Sequence, residues 1–369
     1  NNFKPLPFTT TRDTIATVVN KQGLIETVGS GIPRIDFSDD VNGALLLEPT
    51  ATNSLVQSNQ FDTTWATSSG ANISSGYSGV YGSNDAWLLK RVDGASRYLY
   101  QNVSLSNTQT FSIYLKADTT NWAWVFLGGT TSWAYFDLEN GLVGGTNSLI
   151  NSNIEPISNG WFRCSVTADV TLSSVRVYPA NGNLTVSGDS NLGIYIQYAQ
   201  LEANSYATSY IKTVGTAQTR VADTATGAGN STVINSSEGV LYFEGSAFAD
   251  GGLTRKISLS DGTLNNYLSI GYSTSSGNII AEMFSGGLLQ TTGLGATGFS
   301  QTNNNKFAMS WGSGTMKFYI NGVQKQTASV TSPIGMNNLL FSAGNGANAM
   351  YNKTKSVQVY TTALSDAEL

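Results

Sequence analysis

Between about residues 50 and 212 the chain is cut into short alternating segments by clusters of Gly, Ser and Asn, and this rhythm restricts the fold more than any other feature. RYLYQNVSL (97–105), TFSIYLKA (110–117), NWAWVFL (121–127), WAYFDL (133–138), GWFRCSVTADV (160–170), SSVRVYP (173–179) and LGIYIQYAQLE (192–202) each read as a strand. Strands at this spacing imply an antiparallel sandwich or barrel. A second series follows in GVLYFEGSAF (239–248), RKISLSD (255–261), NYLSIGY (266–272), NIIAEMF (278–284), KFAMSW (306–311), TMKFYINGVQ (315–324), NLLFSAG (338–344) and KSVQVYTTAL (355–364). Within it Asn321-Gly322, flanked by alternating apolar residues, is the strongest hairpin signal in the chain. SDAEL at the end predicts one short helix, with Ser365 as N-cap and Glu368 at the capping-box spacing.

Length then sets the number of cores. A chain of 369 residues is long for one sandwich, so two are expected. The predicted fold class is all-β, two antiparallel β-sandwiches behind an extended N-terminal arm. The expected division is an arm or attachment collar over 1–48, punctuated by Pro5, Pro7 and Pro33, a first sandwich over 49–212, a linker over 213–236, and a second sandwich over 237–369. The linker is placed where TVGTAQTRVADTATGAGNSTVINSSEG (213–239) loses its aromatic residues and becomes small and polar.

Composition excludes several functions. Only 12% of residues are charged, the net charge is −5, and no basic run exists to neutralise a phosphate backbone, so nucleic acid is not an expected partner. No stretch approaches the apolar length of a membrane helix, so no membrane insertion is expected, and NNFKPLPFTTTR lacks the pattern of a signal peptide. The absence of an initial Met fits a processed or excised fragment. Histidine is absent, which removes the usual general base near neutral pH and the commonest zinc ligand together. Cys164, the single cysteine, reads as a small buried residue on a strand. Nucleophilic catalysis by serine or cysteine has no histidine to activate it. Asp137 and Glu139 stand two apart, a spacing that lets two carboxylates share a face as in a glycosidase pair, but no third acidic residue continues the pattern, and a polar exit to the Asn140-Gly141 turn fits better. The glycine-rich GAGNS (227–231) and GLGATG (293–298) lack a phosphate-binding context. No catalytic residue, cofactor or metal site is therefore expected; structural calcium through Asp39, Asp40, Asp189 or Asp261 is a weak alternative to solvated turns.

The stretch NWAWVFLGGTTSWAYF (121–136) carries the candidate site. Side chains alternate faces along a strand, so Trp122, Trp124 and Phe126 oppose Ala123, Val125 and Leu127, while Trp133, Tyr135 and Asp137 oppose Ala134, Phe136 and Leu138. If 128–132 form the turn, the two aromatic rows share one face with Asp137, whose charge would direct that face toward water. Flat rings beside polar groups suit a sugar, which stacks its C–H face and hydrogen-bonds its hydroxyls. Trp122, Trp124, Trp133 and Tyr135 are the candidate platform, Asp137 its polar partner, and Trp65 and Trp87 come second. The same rings could instead fill the sandwich core or meet a neighbouring subunit.

TRDTIATVVNKQGLIETVGSGIPRIDF (11–37), ALLLEPTATNSLVQSNQFDTTW (44–65) and AQLEANSYATSYIKTVGTAQTRVAD (199–223) resemble segments of phage tail or head fibre and spike proteins. The sandwich between them, with WAYFDLENGLVG (133–144) and NGWFRCSVT (159–167), is similar to a carbohydrate-binding jelly roll. KFAMSWGSGTMKFYINGVQ (306–324) and KSVQVYTTALSDAEL (355–369) resemble a laminin-G-like or concanavalin-like lectin domain, a pattern shared with bacterial surface proteins. The resemblance implies a non-enzymatic, virion-borne or extracellular adhesive protein. Its expected partners are host cell-surface polysaccharide and, through the arm, other virion proteins; a homotrimer is the implied assembly. A purely structural virion protein and a secreted bacterial polysaccharide-binding module remain open.

Overall fold

The structure, a computed structural model, describes residues 7–369. Pro5 and the rest of the first six residues of the expected arm lie outside the described residues. The chain is all-β: among the described residues every strand ladder is antiparallel and no helix forms, so none there is long and apolar enough to cross a membrane. The strands divide into two compact units, each a two-sheet sandwich.

One unit comprises residues 14–29 and 50–221. Its first six-stranded sheet runs, edge to edge, through Leu142–Asn147, Trp133–Asp137, Trp122–Gly128, Leu172–Ala180, Leu99–Leu105 and Ala66–Thr67. The second runs through Asn151–Pro156, Trp161–Asp169, Thr108–Ala117, Gly193–Glu202, Ala86–Arg91 and Ala71–Tyr77. Alternation delivers one side chain in two to the space between them. Ala123, Val125, Leu127, Ala134, Phe136, Val175 and Val177 come from the first sheet, and Phe111, Ile113, Leu115, Val166, Ile194 and Ile196 from the second. Each large aliphatic or aromatic side chain buried there contributes about 1.5–3 kcal/mol. Cys164 lies in the same core opposite Ile113 and Ile154, and burial pushes its thiol pKa well up.

The other unit comprises the described residues 7–13, then 30–49 and 222–369. A seven-stranded sheet orders Val323–Ser329, Thr315–Ile320, Asn305–Gly312, Gly239–Ala247, Asn352–Tyr360, Ala44–Leu47 and Ile35–Asp36. It packs Phe243, Phe307, Met309, Trp311 and Phe318 against Ile257, Leu259, Leu268, Ile270 and Met283 of a six-stranded sheet. Asn321 and Gly322 have φ of 52° and 76°, and they close Ile320 onto Val323 as a two-residue turn of the primed kind.

Three expectations need correction. The described residues of 1–48 are not an extended arm. Ala16–Val19 and Ile25–Val28 pair as a hairpin of the first unit, while Ala44–Leu47 adds to Asn352–Tyr360 in the second. The backbone groups of these segments are thereby satisfied in sheets rather than by water. The small polar run after 213 holds two strands, Gln218–Arg220 paired with Ala51–Asn53 and Thr224–Thr226 paired with Thr9–Thr11. At the C-terminus the capping-box contacts form, since Ser365 N and Oγ both donate to Glu368 Oε2, at 2.9 and 2.6 Å. They close a single turn over residues 366–368 rather than a helix.

Four buried charges hold the strands of the second unit together. Arg34 pairs with Glu48 at 2.7 Å and with Asp223, and Asp223 also pairs with Arg12 at 2.7 Å. Burial works against the charge of Arg34, yet Glu48 and Asp223 outweigh it and its pKa is raised.

Candidate ligand-binding face

The hairpin that carries the candidate residues is built by register. Trp122 stands opposite Asp137, Trp124 opposite Tyr135 and Phe126 opposite Trp133. Gly129–Ser132 turn the chain: Leu127 N donates to Ser132 O, and Thr130 Oγ1 donates back to Leu127 O at 2.6 Å. All these rings lie on the outer side of their sheet, outside the core formed by Ala123, Val125, Ala134 and Phe136. Trp122, Trp124, Phe126 and Trp133 are half-buried, and Tyr135 is 5% exposed.

Two cross-strand rows extend the face. One reads Trp133, Phe126, Arg176, Tyr100, and the other Tyr135, Trp124, Tyr178. Tyr98 joins the second row, its ring 4.7 Å from that of Tyr178. Trp124 is the hub. Its ring lies 4.3 Å from Tyr178, 5.6 Å from Tyr135 in a stack, and 6.3 Å from Trp133 edge-on. Pairs of this kind contribute about 0.5–1.5 kcal/mol each beyond burial, so the rings form a stiff surface. Burial pushes the Tyr178 phenol up to about 12, against the lowering influence of Arg176, and the hydroxyl stays protonated.

Asp137 is not the polar partner of the platform. It is 8% exposed, and its carboxylate faces its own turn, accepting from Glu139 N at 3.0 Å, Asn140 N at 3.1 Å and Asn140 Nδ2 at 2.9 Å. Burial alone would raise its pKa; these donors outweigh that and hold the carboxyl below its usual value. Trp65 and Trp87 are likewise not on the face. They are 5% and 6% exposed, their rings meet Phe61, and their indole N–H groups donate to Gln57 O and Asn59 O.

Trp122 owes its place to a missing side chain. A Cβ on Gly144 would lie 2.7 Å from the Trp122 ring and 2.6 Å from Asn183 Oδ1. The loop carrying Asn183 closes over this edge, with Asn183 Oδ1 accepting from Gly145 N at 2.7 Å. Sequence reasoning missed Tyr98, Tyr100, Arg176 and Tyr178, whose signal was the same alternation, in RYLYQN (97–102) and VRVYP (175–179).

Three of the aspartates weighed for calcium have side-chain partners within the chain. Asp39 and Asp40 pair with Lys353 and Lys355, and Asp261 accepts from Thr263 and Asn266. Asp189 binds through its backbone, its N–H donating to Asn181 and its carbonyl accepting from Arg91. Among the described residues no three acidic, cysteine or histidine side chains group together.

No family model matches the chain, and no curated protein matches it. Solved structures similar to it include the CBM40 module of a Ruminococcus gnavus IT-sialidase, at 18% identity and a TM-score of 0.33 over 39% of this chain and 91% of that one. The same module bound to alpha2,3 sialyllactose gives a TM-score of 0.30 at 18% identity, with 39% and 91% covered. Domains LG4-5 of the mouse laminin alpha1 chain match at 8% identity and a TM-score of 0.23, over 85% of this chain and 94% of that one. None of them assigns a residue role to this chain.

Proposed function

We propose that this chain is a non-enzymatic glycan-binding protein, that its Trp122, Trp124 and Trp133 face stacks against sugar rings, and that it serves as a virion appendage gripping host-surface polysaccharide. The observation that carries the binding proposal is the pair of register-aligned aromatic rows on the outer side of one sheet. Soluble proteins seldom leave so many large rings half-exposed together without a partner to cover them. Flat rings flanked by Asn183, Tyr and Arg donors meet both needs of a sugar, an apolar face to stack on and polar groups at the rim. The virion setting and the trimer rest on the resemblance of 11–65 and 199–223 to fibre and spike segments. A shallow face binds weakly per copy, and a trimer repeated over a particle supplies avidity.

Affinity electrophoresis in gels containing host-surface polysaccharide tests the binding. The wild-type chain is retarded; a Trp122→Ala, Trp133→Ala variant, shown by circular dichroism to be folded, loses roughly thirtyfold or more in affinity, as truncation of about 2 kcal/mol hot spots requires. Unchanged retardation of that folded variant would remove the face from the site. Light scattering of the pure chain checks the trimer, and a monomer at high concentration counts against it.

A further inference from the structure

The middle of the aromatic face carries a charge. Arg176 lies between Phe126 and Tyr100 in register, its guanidinium carbon 5.4 Å from the Phe126 ring centroid and 5.2 Å from that of Tyr98. Its Nε donates to Ser174 Oγ at 3.0 Å. Among the described residues no carboxylate pairs with it, although the chain has 24 acidic residues to 19 basic ones. Some cations elsewhere hold carboxylates: Arg97 holds Asp93, Lys256 holds Glu282, and Lys317 holds Asp366. Arg176 is instead clamped between two rings, which fixes its plane, and a guanidinium presents five donors in a fork matched to an oxyanion.

A hollow lies beside it. Tyr100, the register partner of Arg176, forms one wall of a concavity of about 350 Å³, whose other lining includes Ser54, Thr64, Gln101, Asn102 and Ser104. The ladder with the edge strand Ala66–Thr67 covers only Leu99 and Tyr100, so beyond them Leu99–Leu105 borders the hollow as a free sheet edge. Hydroxyl, amide and ring together suit a sugar, and the size is that of a small-ligand site.

We infer that the glycan taken by this face is anionic, with a carboxylate or sulfate seated on Arg176, one sugar ring stacked on Phe126 and Trp124, and the adjoining ring entering the hollow at Tyr100. This rests on the proposal that the face binds glycan. Charge complementarity selects the occupant. A neutral sugar offers the guanidinium only hydroxyl and ring oxygens, whereas an oxyanion forms shorter, charge-assisted hydrogen bonds and complements its charge.

Calorimetry on the full chain with three probes of equal length tests it: a galactose oligomer, a galacturonate oligomer and a sulfated galactose oligomer. The expected result is a dissociation constant about 10- to 100-fold lower for at least one acidic oligomer than for the neutral one. The preferred oligomer reports which acid group the site takes. Raising the ionic strength to about 1 M is expected to narrow the difference. Arg176→Gln is expected to weaken acidic oligomers far more than the neutral one and so remove the preference, and Arg176→Lys, which keeps a point charge without the fork, retains part of it. Equal binding of neutral and acidic oligomers by the wild type would overturn the inference while leaving the glycan face standing. An Arg176→Gln variant that weakens all three equally would also overturn it. If none of the three binds and scattering shows copies joined by a contact that Trp133→Ala breaks, the face is a subunit interface and both readings fall.

Discussion

Asp137 closes the turn after the second aromatic strand, and its charge is sustained by donors rather than by water. Because its folded pKa lies below the usual 3.8, it contributes stability that is full above 3.8 and drains away as pH falls through the lower folded value. Asp137→Ala is expected to cost about 1–3 kcal/mol near pH 7 in urea denaturation, with the deficit shrinking as the pH drops below about 3.8. A deficit constant from pH 7 to pH 2.5 would show that the carboxylate charge is irrelevant. Gly144 matters for the opposite reason, since it supplies room. Gly144→Ala pushes a methyl into the Trp122 ring and Asn183, an overpacking cost of about 1–3 kcal/mol, and a shift in tryptophan fluorescence should accompany the lost stability. Cys164, 1% exposed, is expected to resist thiol reagents in the native chain and to react once denaturant opens the core.

Turns and registers decide how these residues are used. At Asn321-Gly322 both residues sit in the left-handed region, and nothing lies within 4 Å of where a Gly322 Cβ would stand. Gly322→Ala therefore carries only the backbone penalty, about 1 kcal/mol in thermal or urea unfolding. A much larger loss would mean an unrecognised packing role. That turn was legible because its chemistry is local, and so was each strand with strict alternation. Ala71–Tyr77, Leu142–Asn147 and Asn151–Pro156 were not, since ANISSGY, LVGGTN and NSNIEP are polar or glycine-rich and are strands only because a neighbour supplies the ladder. The same limit applied to the candidate face. Its hairpin could be drawn from 121–136, but Arg176, Tyr178, Tyr98 and Tyr100 join it only because Leu172–Ala180 lies between Trp122–Gly128 and Leu99–Leu105. Strand order in a sheet is a long-range fact that alternation does not encode. Asp137 was misjudged for a related reason: a carboxylate immediately before a turn finds backbone donors as readily as solvent.

Across the whole molecule, the two sandwiches share one chain more closely than a sequence divided at 213–236 implies. The path passes from one unit to the other after residues 13, 29, 49 and 221. The Arg12, Arg34, Glu48 and Asp223 cluster ties three of the resulting pieces together in one unit. Removing one member leaves buried charge uncompensated, so Arg34→Met is expected to cost about 3–5 kcal/mol, read as an early unfolding transition in calorimetry. A transition unmoved by that substitution would show that the sheet ladders suffice without the charges. The threading also governs how such a protein can be altered. Residues 222–369 taken alone would be a sandwich stripped of Ile35–Asp36 and Ala44–Leu47. Recombination at one breakpoint cannot part the two sandwiches intact, since every single cut leaves one of them without a segment of its chain.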